Sequence, residues 1–145
     1  MQTNRGGRKK VVLVDKKAAK LAYKASRRPM GIFAIRNLVN DKIFVGSTTD
    51  LTAMFNRIRF QLAAGAHPNK PLEADWKNFG APKFEFEILE EIVQRDDPNY
   101  NYSADLEVLE DLWLEKLEPY GEKGYNERKK TREERLRMIS ANRRD

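Results

Sequence analysis

The sequence predicts an α+β domain, on three observations. Residues 31–39 and 42–47 are two runs rich in β-branched and aromatic side chains, and they are nearly adjacent. Residues 84–89 form a third run, in which phenylalanine and glutamate alternate as in a half-buried strand. The segments 50–64 and 103–117 carry apolar residues at helical spacing. The length of 145 residues fits one domain of this class.

The first two runs are separated by a dipeptide that predicts how they connect. Asn40-Asp41 favours a tight two-residue turn, so residues 31–47 are expected to form an antiparallel hairpin. In the third run every second residue is apolar, and one face of that strand is therefore expected to face the core.

The segment 50–64 predicts an amphipathic helix. Its apolar residues follow one another at steps of four, three and four, which places them on one face. Asp50 is typical of a helix N-cap and Gly65 of a helix end. A shorter helix is predicted over 71–79, before Gly80. The apolar face of the longer helix consists of Leu51, Phe55, Ile58 and Leu62.

The last core helix, predicted over 103–117, carries an acidic residue inside its apolar stripe. Glu110 lies four residues after Leu106 and three before Trp113. A carboxylate at the edge of such a stripe reaches water, whereas a buried one usually has a partner such as a cation or a metal. The pattern leaves both interpretations open. The predicted stripe consists of Leu106, Leu109, Trp113 and Leu117.

The net charge of +6 is unevenly distributed. Residues 1–29 carry ten basic residues and one acid, and residues 127–145 carry eight basic residues and four acids. Residues 30–126 carry a local charge of −7. Basic segments are the usual contact for phosphate backbones, with solubilising tails as the alternative. We therefore divide the chain into a basic N-terminal extension, 1–29, a domain, 30–126, and a basic C-terminal helix or tail, 127–145.

Both extensions are predicted to be helical or flexible. The run after Asp15 is rich in good helix formers and ends at Arg28-Pro29, because the residue before proline avoids helical geometry. A second helix is predicted over 131–144, with Thr131 and Glu134 at capping-box spacing.

The composition excludes several classes of protein and site. The absence of cysteine excludes disulfides, thiol catalysis and cysteine-ligated zinc, and a single histidine excludes a histidine-rich metal site. No apolar run approaches the roughly 20 residues of a membrane span. The first residues do not form a secretory signal, so an intracellular location, in the cytoplasm or nucleoid, is expected.

Two tripeptides of the predicted hairpin resemble the signature of the GIY-YIG nuclease superfamily. They read Gly31-Ile32-Phe33 and Phe44-Val45-Gly46, and the closing Gly124-Tyr125-Asn126 is similar to the small, homing-endonuclease-like branch. The resemblance covers about residues 30–126. It implies that the three runs form one three-stranded antiparallel sheet with the helices packed on it.

The resemblance also implies roles for individual positions. Nucleases of this superfamily use a tyrosine in each tripeptide and an arginine on the first helix that clamps phosphate. A glutamate binds a divalent metal and a late asparagine orients it. In this sequence the two tyrosine positions are occupied by Phe33 and Phe44, and the arginine position is occupied by Met54. A further position, which is often histidine in the family, is occupied by Ile58. The residue types retained are the metal-binding Glu110, the late Asn126, and His67 at the end of the first helix.

These substitutions predict a site that does not cleave. Phenylalanine cannot take a proton from water, and methionine cannot neutralise charge on a phosphate. General acid–base catalysis is worth roughly 10²–10⁴ in rate, and an arginine on a transferring phosphoryl group roughly 10³–10⁵. Arg57 and Arg59 point about 60° and 140° away from Met54 around the helix, so neither is expected to replace the lost clamp.

The sequence therefore favours a nucleic-acid-binding protein built on a catalytically degenerate endonuclease fold. No cofactor is expected, Glu110 is a vestigial and weak metal ligand, and Mg²⁺ enters only if the site is active. The alternatives are an active metal-dependent endonuclease with a rearranged site, and a protein-interaction or inhibitor module on a nucleoprotein complex. DNA and RNA stay open. The predicted phosphate contacts are Arg5, Arg8, Lys9, Lys10, Lys16, Lys17, Lys20, Lys24, Arg27, Arg28, Arg128, Lys129, Lys130 and Arg132.

Overall fold

The computed structural model describes residues 27–128 and 132–142. Three strands and four helices follow one another along these residues, with short 3₁₀ turns before the third strand and after the third helix. Within the described ranges, no helix has the length and apolar character to cross a membrane. The elements are β1 (Gly31–Asn37), β2 (Ile43–Thr48), α1 (Leu51–Ala64), α2 (Lys70–Phe79), β3 (Phe84–Glu91), α3 (Ser103–Leu117) and α4 (Arg132–Asn142).

The three strands form one antiparallel sheet in the order β2-β1-β3, which confirms the predicted α+β fold. Phe33 in the central strand lies opposite Gly46 of β2 and Ile88 of β3. The β1–β3 register shifts between Ile32 and Phe33, where a β-bulge interrupts the alternation of β3. Strand β2 is therefore an edge strand, and its outer side is free of other strands of the sheet.

The sheet separates two hydrophobic clusters because alternate residues of a strand point to opposite faces. Phe33 and Ile35 of β1 pack with α1 and α2 on one face. Ile32 and Ala34 pack with α3 on the other. All four are at most 3% exposed, so β1 is buried on both sides. The near-continuous apolar sequence of this strand reflects its central position.

The connection between β1 and β2 differs from the predicted two-residue turn. The last backbone hydrogen bond before the loop is donated by the N–H of Asn37 to the carbonyl of Lys42, at 2.8 Å. Residues 38–41 therefore form the loop. A two-residue type I′ turn needs positive φ at both central residues, and here only Asp41 has it, at 63°. The side chain of Asn40 instead accepts from the N–H of Lys42 at 3.0 Å, which stabilises the longer loop.

Helix α1 forms as its sequence predicts. The side chain of Asp50 accepts from the N–H of Ala53 at 3.0 Å, and Gly65 ends the helix with φ of 70°. Leu51, Ile58 and Leu62 are buried against the sheet, as expected for one apolar face.

Helix α3 packs on the opposite face of the sheet, and the residues that it buries differ from the predicted apolar stripe. Its buried residues are Leu106 and Leu114, while the predicted Leu109, Trp113 and Leu117 are only partly buried beside them. Glu110 lies one turn from each buried leucine and is partly buried. The carboxylate is thus at the centre of the stripe.

The extensions lie mostly outside the described residues. The predicted N-terminal helix is not described up to residue 26, and Arg27 and Arg28 are not helical. The predicted C-terminal helix is confirmed over Arg132–Asn142, whereas its expected cap, Thr131, is outside the described ranges.

Candidate functional site

A cleft of about 440 Å³ lies beside the edge strand β2. Side chains from both faces of the sheet line it, because the two faces meet at the edge of β2. Met54 and Ile58 of α1 lie on one side and Glu110 of α3 on the other. The cleft also contacts Asn126, in the segment that follows α3. The structure thus brings together all seven positions that the family resemblance singled out.

The four substituted positions form an apolar wall. Phe33 and Ile58 are each 3% exposed, and Phe44 and Met54 are partly buried and pack against them. The ring centroids of Phe33 and Phe44 are 6.3 Å apart. This wall offers no hydroxyl and no charge to a ligand.

Gly46 makes the packing of this wall possible. It lies opposite Phe33 on the neighbouring strand, and a Cβ atom at this position would come within 2.6 Å of the Phe33 ring. Only glycine accommodates so close an approach. The glycine of the second tripeptide therefore positions the aromatic residue of the first.

Glu110 has a hydroxyl partner. The Oγ of Ser47 donates to its Oε1 at 2.6 Å, within the range of a charge-assisted hydrogen bond. Ser47 is on β2, one residue after Gly46, and its side chain points to the face of the sheet that α3 covers. Ser47 was not predicted from the sequence, although strand alternation after the second tripeptide is a signal that places its side chain on the same face as Val45.

Arg57 lines the cleft together with Met54. That it does not replace the lost clamp stays a prediction. The guanidinium carbon of Arg59 lies 4.2 Å from the centroid of the Phe86 ring. Gln61, one turn after Arg57, is a further lining residue that the sequence analysis did not single out.

His67 is buried in the wall of the cleft with a defined tautomer. Its ring Nδ1 accepts from the backbone N–H of Asn69 at 3.0 Å, and the backbone N–H of His67 donates to Oε2 of Glu73 at 2.8 Å. Burial lowers the pKa of His67. The neutral ring therefore carries its proton on Nε2 and acts as a hydrogen-bond donor there.

Asn126 forms hydrogen bonds to the backbone of the edge strand β2. Its Oδ1 accepts from the N–H of Val45 and its Nδ2 donates to the Val45 carbonyl, each at 2.9 Å. The amide thus imitates a neighbouring strand. Tyr125 continues this pairing, with its N–H donating to the Ile43 carbonyl at 2.9 Å.

The side chain of Tyr125 is part of a buried polar network. Its hydroxyl donates to Asp75 at 2.6 Å and accepts from the Nδ2 of Asn37 at 3.0 Å. Burial, followed by the hydrogen bond to Asp75, raises the pKa of Tyr125 to about 12. The neutral phenol is therefore the form that the folded protein stabilises.

We expect this network to make stability depend on pH in the alkaline range. Unfolded Tyr125 loses its proton near pH 10, while the folded residue keeps it to about pH 12. Its contribution is complete below pH 10 and decreases as the pH rises from 10 to 12. Urea unfolding across this range should show a steeper loss for the natural protein than for Tyr125→Phe, whatever their difference at pH 7. Equal slopes would contradict the network.

The cleft offers few ligands to a metal ion. No group of three or more histidine or acidic side chains suitable for a metal occurs in the ranges 27–128 and 132–142. Glu110 supplies one carboxylate, and the side-chain oxygen of Asn126 is already bonded to Val45. Mg²⁺ held by one carboxylate takes its remaining ligands from water and substrate phosphates. Glu110 is thus the residue that would hold such an ion, together with a phosphate group.

Most of the predicted phosphate contacts cannot be placed. Arg27 donates to the Gln94 carbonyl and to Asp96, at 3.2 and 2.9 Å, and its side chain is 18% exposed. Arg28 is exposed and lies 3.3 Å from Asp50, and Arg128 lies over the ring of Tyr120. For Arg132 the structure gives only its place at the start of α4. The remaining candidates lie outside the described residues: Arg5, Arg8, Lys9, Lys10, Lys16, Lys17, Lys20, Lys24, Lys129 and Lys130.

Solved structures of a known nuclease domain share this fold. The catalytic domain of the homing endonuclease I-TevI superposes with a TM-score of 0.58 and 29% identity, covering 69% of this chain and 99% of that domain. A single-residue mutant of the same domain gives the same TM-score at 30% identity, with 71% and 97% covered. The chain belongs to the GIY-YIG nuclease superfamily. The homing-endonuclease-like resemblance of its sequence is thereby confirmed.

A curated relative supports the same assignment for part of the chain. Intron-associated endonuclease 1 of Enterobacteria phage T4 is 33% identical over 88 residues, which is 60% of this GIY-YIG chain. The chain spans about a third (32%) of the length of that relative. No model of a known protein family matches the chain.

Proposed function

We propose that this GIY-YIG protein binds nucleic acid without cleaving it. The observation that supports the proposal is the apolar wall of the cleft. At the positions where the family mechanism requires two hydroxyls and a guanidinium, the wall presents Phe33, Phe44 and Met54.

The chemistry of phosphodiester cleavage explains why this wall matters. A water molecule must be deprotonated as it attacks, and the charge that develops on the phosphate must be neutralised. The wall can do neither. Glu110, hydrogen-bonded to Ser47, supplies a ligand for a metal, but the substituted positions supply neither the base nor the arginine clamp of the family mechanism. Such losses are not additive, but each one is large.

Nucleic acid is the partner that the relatives and the charge distribution favour. The phage relative is an endonuclease, and the homing endonuclease domain has the same fold. The basic residues of the two extensions are suited to contact phosphates, and binding of this kind does not depend on catalysis. Contacts of this kind position a protein without reading bases, so the proposed binding tolerates many sequences.

One experiment measures binding and cleavage in the same sample. A labelled DNA duplex or RNA strand is titrated with the full-length protein in Mg²⁺, and anisotropy is followed before the strands are separated on a denaturing gel. We expect saturable binding that weakens with salt, and intact strands at protein excess.

Two results would favour the alternative functions. Cleavage that disappears in Glu110→Ala but persists in Glu107→Ala, a change at an exposed site one turn away, would indicate an active endonuclease. The observation that favours this alternative is that Arg57, a cationic residue, lines the cleft. Absence of binding to both DNA and RNA at low salt would favour a protein-interaction module.

A further inference from the structure

We propose that the cleft beside β2 binds a single unpaired guanine nucleotide, with its base against the apolar wall and Glu110 and its phosphate at Arg57. This inference rests on the proposed nucleic-acid-binding function and assigns the cleft a role within it. In this role the apolar wall is the surface that binds the base.

The wall has the chemistry that a nucleobase prefers. Phe44, Met54 and Ile58 present apolar atoms, and the ring of His67 lies edge-on to that of Phe44, with centroids 5.9 Å apart. Aromatic and apolar side chains contact the faces of unstacked bases in proteins that bind single strands. A volume of about 440 Å³ lies within the range of small-molecule sites and accommodates one nucleotide.

Glu110 selects among the bases. An ionised carboxylate only accepts hydrogen bonds, and one of its oxygens already accepts from Ser47. The carboxylate keeps further acceptor sites for a ligand. Guanine is the base whose Watson–Crick edge presents two adjacent donors, N1–H and the N2 amino group. Uracil and thymine place carbonyl oxygens on both sides of their single donor, and these oxygens repel a carboxylate.

Two further groups complement the rest of the nucleotide. Arg57 lines the same cleft and is an exposed residue, so its guanidinium is available to bind a phosphate. His67 also lines the cleft, and the bond at its Nδ1 leaves Nε2–H as a donor for a carbonyl of the ligand. Acceptor, donor and cation are thus arranged around one apolar wall.

The position of the cleft at the sheet edge favours an unpaired nucleotide over a base pair. A cleft of this size holds one base, and a paired base reaches it only by leaving the duplex. Extruding a base from a duplex requires breaking its stacking and pairing, and a single strand avoids most of that cost. The inference therefore predicts a preference for single-stranded or looped nucleic acid containing guanine.

Calorimetric titration of the full-length protein with mononucleotides in the absence of Mg²⁺ tests the cleft directly. We expect guanosine monophosphate to bind about tenfold more tightly than inosine monophosphate, which lacks the N2 amino group, because that group donates a hydrogen bond to a charged acceptor. Uridine monophosphate is expected to bind more weakly than both.

Paired variants separate the base contact from the phosphate contact. Glu110→Gln should weaken guanosine monophosphate binding at least tenfold, while Glu107→Gln, an equal change of charge on the exposed face of α3, should not. Arg57→Ala should weaken the monophosphate and leave guanosine itself unchanged. Arg59→Ala, which removes a guanidinium stacked on Phe86, should affect neither. Circular dichroism confirms folding of each variant.

The outcomes distinguish this inference from the proposed function. Equal affinity for guanosine and uridine monophosphates would overturn the inference. Binding that requires Mg²⁺ and ignores the base would also overturn it, since that result indicates a metal–phosphate site at Glu110. Salt-dependent binding of long nucleic acid with no mononucleotide binding would overturn the inference and leave the proposed function standing.

Discussion

Replacing Lys16, Lys17, Lys20 and Lys24 together by glutamine is expected to flatten the salt dependence of duplex binding. Each lysine that contacts a duplex phosphate contributes about 0.9 to the slope of log affinity against log salt. If all four make such contacts, the loss of affinity between 50 and 200 mM salt shrinks by about a hundredfold. Anisotropy titrations at these two concentrations measure the difference.

A matched variant controls for net charge. The control replaces four exposed lysines of the folded domain by glutamine, and it therefore lowers the net charge by the same amount. These lysines are Lys77, Lys83, Lys116 and Lys123. This control is expected to keep the slope of the natural protein, because the proposed contacts lie in the extensions. Equal flattening in both variants would show that binding follows total charge, and the N-terminal extension would then have no particular role.

Gly124→Ala is expected to destabilise the fold by about 3 kcal/mol. A Cβ atom there would lie 2.5 Å from the carbonyl oxygen of Ile43 and even closer to that of Pro119. Both neighbours are backbone atoms, so relief requires the chain to move away from β2. That movement also weakens the hydrogen bonds between Asn126 and Val45. Thermal unfolding should show a decrease in Tm of about 10 °C.

A glycine three residues earlier provides the comparison for this change. Gly121 has φ of 59°, and a Cβ atom there would contact nothing within 4 Å. Gly121→Ala therefore carries only the left-handed backbone penalty of roughly 1–2 kcal/mol. If Gly124→Ala is no less stable than Gly121→Ala, the close approach of the closing segment to β2 is not what requires glycine at position 124.

Local patterns determined most of the fold. Alternation in 84–89, the caps Asp50 and Gly65, and the apolar spacing of α1 each depend on residues within about one turn, so the sequence contains them. The hairpin loop was less predictable, since Asn40-Asp41 is compatible with turns of several lengths. Its length was decided by which side chains bond to the backbone of the loop.

The site divides in the same way. The sequence by itself determined which chemical groups the signature positions lack, because a phenylalanine or a methionine excludes a hydroxyl or a charge in any structure. It also determined the charge of the extensions and the presence of a carboxylate in the stripe of α3. The tertiary structure decided that Glu110 meets Ser47 and that Arg57 reaches the cleft. Those contacts join residues on different elements across the edge of β2, and no local spacing encodes such a distance.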